Sequence, residues 1–270
     1  TLIDAVPPSH RDLRLLEWEI RTALRSGNWQ RALQVIATLP DEAQASDRWR
    51  YWEARALAAL GQTDAAIGLM ARVAEERSFY GFLAADTRGL DYAMAPAALT
   101  PDEVIISGLN NEPSIVRVRE LYAVGQVKRA AAEWQRALRT RTADVKTQAA
   151  ILAQRWGWHR EAIAMLGTLK LWDDLDIRYP LAFSDAVKAY SANHGVDPSF
   201  ALGILRSESL YDHEARSSAG AWGLMQLIPA TGKRMAKKDN IAWQGIETLK
   251  DADSNIRLGT RYLGELLGRF

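Results

Sequence analysis

Four short segments share one pattern, and they restrict the first two-thirds of this 270-residue chain more than any other feature does. They are Gly27-Asn-Trp-Gln-Arg-Ala32, Gly61-Gln-Thr-Asp-Ala-Ala66, Gly125-Gln-Val-Lys-Arg-Ala130 and Gly157-Trp-His-Arg-Glu-Ala162. In each, Gly follows an apolar helical run and Ala opens the next one. The glycines are separated by 34, 64 and 32 residues, so two periods of about 32 fit in the longest gap, within the range of tetratricopeptide-like arrays. Gly ends the first helix of a pair, and Ala lets the second approach closely. The expected fold class is therefore all-α, opening with a helical-repeat superhelix. Between Gly89 and Pro113 the period lapses and Pro96, Pro101, Gly108, Asn110 and Asn111 cluster, which predicts a linker between two helical subdomains. A second break, Arg178-Tyr-Pro180, opens the last unit. The resulting division is 1–95, the superhelix; 96–178, a helical linker domain; and 179–270, a third unit.

Composition enters mainly by exclusion. A net charge of +1 gives no reason to expect a nucleic acid, and no stretch is apolar enough to span a membrane. The chain has no cysteine, which rules out disulfides and thiolate chemistry but leaves the compartment open. The four histidines, His10, His159, His194 and His213, have no metal-ligand spacing, so neither a metal nor a cofactor is expected. Ten tryptophans are expected to be mainly packing residues of the helical pairs. The chain opens with Thr1 and carries no signal peptide, so an N-terminal segment is expected to be missing.

The chemistry points to Glu208. It ends the apolar run Ala201-Leu-Gly-Ile-Leu-Arg-Ser-Glu208, four residues after Ile204, so one helix face carries aliphatic groups and then a carboxyl. An apolar wall favours the neutral carboxylic acid, which can protonate a leaving oxygen in glycoside cleavage. Asp197-Pro198 supplies an N-cap and a first-turn proline for this helix. The loop after it, Ser217-Ser-Ala-Gly-Ala-Trp-Gly-Leu-Met-Gln226, has glycines that let a ligand reach the main chain. Gln226 there offers both a donor and an acceptor to an amide. Pro229 starts the next helix, whose basic run Lys233 to Lys238 reads as a solvated face. Asp212 and Glu214 are weaker carboxylate candidates in the polar turn between helix and loop. No strand alternation is evident, although a small hairpin near the glycine loop stays open.

These residues resemble soluble lytic transglycosylases, the periplasmic exo-acting type whose catalytic domain is goose-lysozyme-like. The likeness rests on Glu208-Ser209, on Gly223-Leu-Met-Gln226 with Pro229 after it, and on Asn255-Ile-Arg-Leu-Gly-Thr-Arg-Tyr-Leu263. Upstream, Arg178-Tyr-Pro-Leu-Ala182, Lys170-Leu-Trp-Asp173, Val118-Arg-Glu-Leu121 and Phe79-Tyr-Gly-Phe-Leu-Ala-Ala85 match in the same order. The resemblance implies that 179–270 is a lysozyme-like transglycosylase domain acting on peptidoglycan glycan strands in the periplasm of a Gram-negative cell. It implies Glu208 as acid and then base, Ser217 and Gln226 on the sugar amides, and Met225 and Ile228 as further substrate-binding positions, Ile228 standing where some relatives have Met. A monomer is expected, with cell-wall synthesis proteins as candidate partners.

The family continues with an Ala-Tyr-Asn-Ala-Gly motif and later residues that complete the cleft, whereas this chain stops at Phe270. The expectation is an open half-groove at Glu208 and an uncovered apolar stripe ending in Leu266-Leu267 and Phe270. Two readings of different class follow: a peptidoglycan-cleaving lyase, with a hydrolytic lysozyme of the same fold as its narrower variant, or a helical-repeat scaffold or glycan-binding protein with an inactive lysozyme-like end.

Overall fold

A computed structural model describes residues 6–7 and 11–269, so His10 and Phe270 lie outside the described residues. The chain divides into two compact units, Thr1–Ala95 and Pro96–Phe270. The architecture is all-α: among the described residues there is no strand, only isolated bridges from Trp222 to Arg216 and to Leu227.

The first unit holds α1 (Leu13–Arg25), α2 (Trp29–Ile36), the single turn α3 (Asp41–Gln44), α4 (Asp47–Ala59), α5 (Thr63–Ala74) and α6 (Phe79–Arg88). The second holds α7 (Glu103–Asn111), α8 (Pro113–Ala123), α9 (Val127–Leu138), α10 (Ala143–Arg155), α11 (His159–Leu169) and the single turn α12 (Leu175–Arg178). It continues with α13 (Ser184–His194), α14 (Pro198–Ser209), α15 (Pro229–Lys238), the short α16 (Ile246–Lys250) and α17 (Ala252–Leu267).

The four repeated segments fold alike. Gly27, Gly61, Gly125 and Gly157 all take left-handed φ values, from 68° to 79°. At each, the residue after Gly donates its N–H to a carbonyl five residues back, as Asn28 does to Ala23 (2.9 Å) and Trp158 to Ala153 (2.9 Å). Gly itself donates three residues back, at 2.9–3.2 Å, so the last carbonyls of the first helix are satisfied without any outside group. The residue after Gly is then the N-cap of the second helix. Five residues past each Gly, Ala32, Ala66, Ala130 and Ala162 are buried, which is where paired helices meet.

The boundary between the two units falls within the segment expected as a linker, and residues 90–102 there hold no helix. Residues 103–111 form α7, capped by Asp102, whose Oδ1 accepts from Val104 and Ile105. The stretch before it is tied down: Leu99 N donates to buried Asp174 (2.8 Å), Asp102 N donates to Gln148 (2.8 Å), and Gln148 donates back to Thr100 O (3.2 Å). Prolines mark where this stretch makes no ladder, but two buried polar side chains take up the backbone groups left over.

Trp134, Leu138, Ile115 and Leu166 centre the core of the middle helices. The last helices have two cores, one around Leu205, Leu224 and Ile256 and one around Met235, Leu249 and Leu258. Since Ile256 serves one and Leu258 the other, α17 runs between them. Ile163 of α11 is buried in the first of these, so the break at Arg178-Tyr-Pro180 does not interrupt packing. The basic run of α15 is less free than expected: Arg234 (2.9 Å) and Lys238 both pair with Glu265 of α17, while Lys233 and Lys237 are exposed.

Candidate active site

α14 presents Glu208. Asp197 Oδ1 caps the helix by accepting from Ser199 N (2.7 Å) and Phe200 N (3.0 Å), and Pro198 occupies the first turn. Ala201 and Leu205, four apart, are fully buried, which turns Gly203, Ser207 and Glu208 toward solvent. The helix ends at Leu210 and Tyr211, both left-handed at φ 52° and 64°. Such a conformation costs an L residue roughly 1–2 kcal/mol. Burial of the Tyr211 ring, packed edge-on 6.0 Å from His159, offsets it.

Glu208 is exposed, and among the described residues nothing bonds its carboxyl. Ile204 is half-buried, so the four-residue spacing does not set Glu208 against a closed apolar wall as expected from sequence. The other two acids of this region are differently placed. Asp212 accepts from Glu214 N (2.9 Å) and lies 3.6 Å from Arg160 of α11. Arg160 also holds Glu161 (3.0 Å), whose carboxyl is buried and held above the usual range by desolvation.

The loop from Asp212 to Ile228 is small and internally bonded. Ser217 N donates to Ala221 O (3.0 Å), and its Oγ accepts from Ala221 N (3.0 Å). Trp222 and Leu227 exchange both backbone bonds at 3.0 Å, the nearest approach to a hairpin. Gln226, at φ 47°, donates its side-chain Nε2 to Ala215 O (3.0 Å) and Gly223 O (2.8 Å). Both amide hydrogens are thereby used within the loop, and Oε1 alone remains for a ligand, a narrower role than the donor-and-acceptor one expected. Met225 is buried, so its side chain serves the core, while Ile228 is 52% exposed at the N-cap of α15.

Asn255 and Gly259 hold this loop, and residue-by-residue reasoning assigned neither a role. Asn255 is fully buried; its Oδ1 accepts from Met225 N (2.8 Å) while Nδ2 donates to Trp222 O (3.0 Å) and Leu249 O (2.7 Å). A Cβ on Gly223 would lie 2.2 Å from both Asn255 Nδ2 and Leu249 O. One turn on, a Cβ on Gly259 would lie 2.3 Å from Met225 Sδ. The readable signal is a polar amide and a glycine four apart on the buried face of an amphipathic helix, a face shaped to receive another segment's backbone.

Among the described residues no cluster of acidic, histidine or cysteine side chains could hold a metal ion. What remains is a lone free carboxyl beside a rigid loop with unfilled hydrogen-bond capacity at Ser217 and Gln226.

Known proteins resemble this chain in sequence and fold. Residues 108–175 match the soluble lytic murein transglycosylase L domain, and residues 185–270 match the transglycosylase SLT domain. Soluble lytic murein transglycosylases of Salmonella typhimurium and Escherichia coli are each 32% identical, over 95% of this chain and 40% of the relative. Among solved structures, an inactive glutamate-to-glutamine mutant of lytic transglycosylase Slt from Pseudomonas aeruginosa superposes with a TM-score of 0.87 at 36% identity, covering 100% of this chain and 44% of that one. The 70-kDa soluble lytic transglycosylase of Escherichia coli gives 0.88 at 31% identity, covering 96% and 42%. The chain thus spans about 40% of the length of the relatives it matches. Residues 108–175 and 185–270 thus carry, in order, a soluble lytic murein transglycosylase L domain and a transglycosylase SLT domain, and the likeness to soluble lytic murein transglycosylases runs over nearly all of the chain.

Proposed function

We propose that this chain carries the acid–base centre of a peptidoglycan lytic transglycosylase, with Glu208 as its catalytic carboxyl. The observation that carries the reading is the free Glu208 carboxyl at the end of α14, beside a loop that other residues lock in place. An inactive glutamate-to-glutamine mutant among the relatives supports a carboxyl-dependent reaction.

In this reading Glu208, as the neutral acid, protonates the oxygen between N-acetylmuramic acid and N-acetylglucosamine. The C1–O bond breaks and the N-acetylglucosamine end leaves as an alcohol. The muramic acid's own 2-acetamido group stabilises the developing cation, replacing the second carboxylate of ordinary glycosidases. Glu208, now a carboxylate, takes the proton of the C6 hydroxyl, whose oxygen closes onto C1 to give the 1,6-anhydro sugar. Water is not consumed. Ser217, whose Oγ already accepts from Ala221, keeps its O–H to donate to an acetamido carbonyl, and Gln226 Oε1 accepts an amide N–H. Ile228 contributes exposed apolar surface, and Met225 acts through packing.

The remaining assignments belong to the same proposal: a catalytic unit at 179–270 preceded by a helical linker and a repeat superhelix, a periplasmic site of action, a monomer, and glycan strands as the macromolecular partner. Among the described residues no helix is long and apolar enough to cross a membrane.

The test is mass analysis of products from purified sacculi incubated with the protein. Anhydromuramoyl products are expected, and Glu208→Gln should lower their yield by orders of magnitude with the helical signal unchanged. Reducing-end products would indicate a hydrolase instead. Near-normal activity of Glu208→Gln, with loss in Asp212→Asn, would move the chemistry to the polar turn after α14 and sink the assignment.

A further inference from the structure

The end of α14 is held from outside the helix. Each repeat turn returns two N–H groups to the helix it ends, whereas among the described residues neither Leu210 nor Tyr211 donates its N–H to a carbonyl. The first bond that closes this turn is Asp212 N to Ser209 O (3.1 Å). Leu210 and Tyr211, both left-handed, are therefore fixed by what packs against them.

That packing comes from the turn into α11. The buried Tyr211 ring lies edge-on to His159, whose Nδ1 is bonded to Gln154 Oε1 of α10 (2.9 Å). Tyr122 and Trp158, 5.1 Å apart, line the same recess, where only about 30 Å³ is left unfilled. Ile163, one turn along α11 from His159, shares a core with Tyr211 and with Leu205 of α14. Beside the ring, Asp212 reaches two ways: one oxygen lies 3.6 Å from Arg160 Nε, and the other accepts from Glu214 N (2.9 Å). Just beyond, Ala215 O accepts from Gly223 N (2.9 Å) and from Gln226 Nε2 (3.0 Å). A single cation of α11 thus stands at the head of a bonded path that joins the end of α14 to the glycine loop.

We propose that Arg160 is a positioning residue for Glu208: acting through Asp212, it holds the end of α14 in the conformation that fixes where the Glu208 carboxyl stands. The proposal rests on the reading of Glu208 given above, whereas the hold on the turn does not. It gives the segment that matches the L domain a part in the reaction of the segment that matches the SLT domain. Arg160 is half-exposed, and such an ion pair contributes little to global stability, so its effect belongs in the geometry of the turn.

Amide hydrogen exchange followed by NMR reads the hold without turnover. Asp212→Asn leaves the pair between Arg160 and buried Glu161 intact, so it remains informative even where Arg160→Gln fails to fold. In Asp212→Asn the protection of the Glu208, Ala215 and Gly223 amides is expected to fall about threefold or more, with Met235 of α15 unchanged. On soluble glycan strands, kcat for anhydromuramoyl product should fall roughly tenfold with KM unchanged, because a small displacement of a catalytic group costs rate rather than binding. Arg160→Gln should match it, Arg160→Lys should recover most of the loss, and the double variant Arg160→Gln with Asp212→Asn should be no worse than either alone. Unchanged protection, a normal kcat, a loss equal to the unfolded fraction, or no recovery with lysine would overturn the proposal. So would a loss in Asp212→Asn as deep as that in Glu208→Gln, which would place Asp212 in the chemistry itself. Full activity of Glu208→Gln, or no anhydro product from the unmutated protein, would sink the role of Glu208 alone, and the exchange measurement would still decide whether α11 holds the turn.

Discussion

The repeat turns and the Glu208 loop both depend on glycines with positive φ, and they use them differently. At Gly27, Gly61, Gly125 and Gly157 a Cβ would meet nothing within 4 Å, and the bonds that close each turn come from the helix just finished. At Gly223 a Cβ would run into Asn255 and Leu249, which arrive from more than twenty residues away. The first kind of glycine serves the conformation of its own backbone. The second also makes room for a distant element, so its loop exists only once α17 has docked. A turn that closes on itself can be repeated along a chain; a loop that is held from outside can be placed where a reaction needs it rigid.

Substitution should separate the two kinds. Gly223→Ala is expected to be the most damaging, since it combines a left-handed backbone with overlap on a buried amide and a carbonyl that are both hydrogen-bonded. A loss of about 4 kcal/mol is expected in denaturant unfolding, with the Glu208 loop disordered before global unfolding. A loss near that of a repeat glycine would erase the distinction.

Asn255→Ala attacks the same contact from the other side. It strands Met225 N–H and two carbonyls in a buried place, for an expected loss of about 3 kcal/mol, with faster hydrogen exchange at Met225. If the two changes were independent they would add, so a double mutant much less damaged than that sum is the expected result. Gly125→Ala should cost only about 1–2 kcal/mol, from φ alone, with no added penalty from packing.

The smallest effect expected is electrostatic. His194 of α13 sits against Asp239, with Arg257 and Arg261 on the same carboxylate (3.2 and 2.8 Å), and burial holds its imidazole below its usual titration range despite Asp239. The unfolded chain therefore takes up the proton first, and stability should fall as pH drops from about 6.5 toward the folded value, levelling off below it. His159 is displaced the same way by burial, and Glu161 the opposite way, so the informative quantity is the difference between the unmutated chain and His194→Gln across pH 7 to 5. A parallel pair of stability curves would show that His194 does not contribute.

Much of this was legible in advance because the signals are local. Gly then Ala at a spacing of five names each helix pair, and Asp197-Pro198 names the start of α14, since caps and turns satisfy backbone groups within a few residues. The stretch between Gly89 and Pro113 was legible only in part for the same reason. Prolines and asparagines there do interrupt regular bonding, but the groups that fix the stretch, Gln148 and Asp174, lie 46 and 75 residues away. Gln226 shows the limit within the site: its residue type says that it bonds amides, not that the amides are those of Ala215 and Gly223.

By itself, then, the sequence determined the all-α character and the repeated pairs, and it singled out the carboxyl proposed for acid–base chemistry, because helix periodicity, capping and positive-φ glycine are short-range properties. Only the tertiary structure decided that Glu208 is exposed and that Asn255 and Gly259 lock the loop that follows its helix. Burial, steric fit and charge balance depend on what arrives from elsewhere in the chain, and no single stretch of residues carries that information.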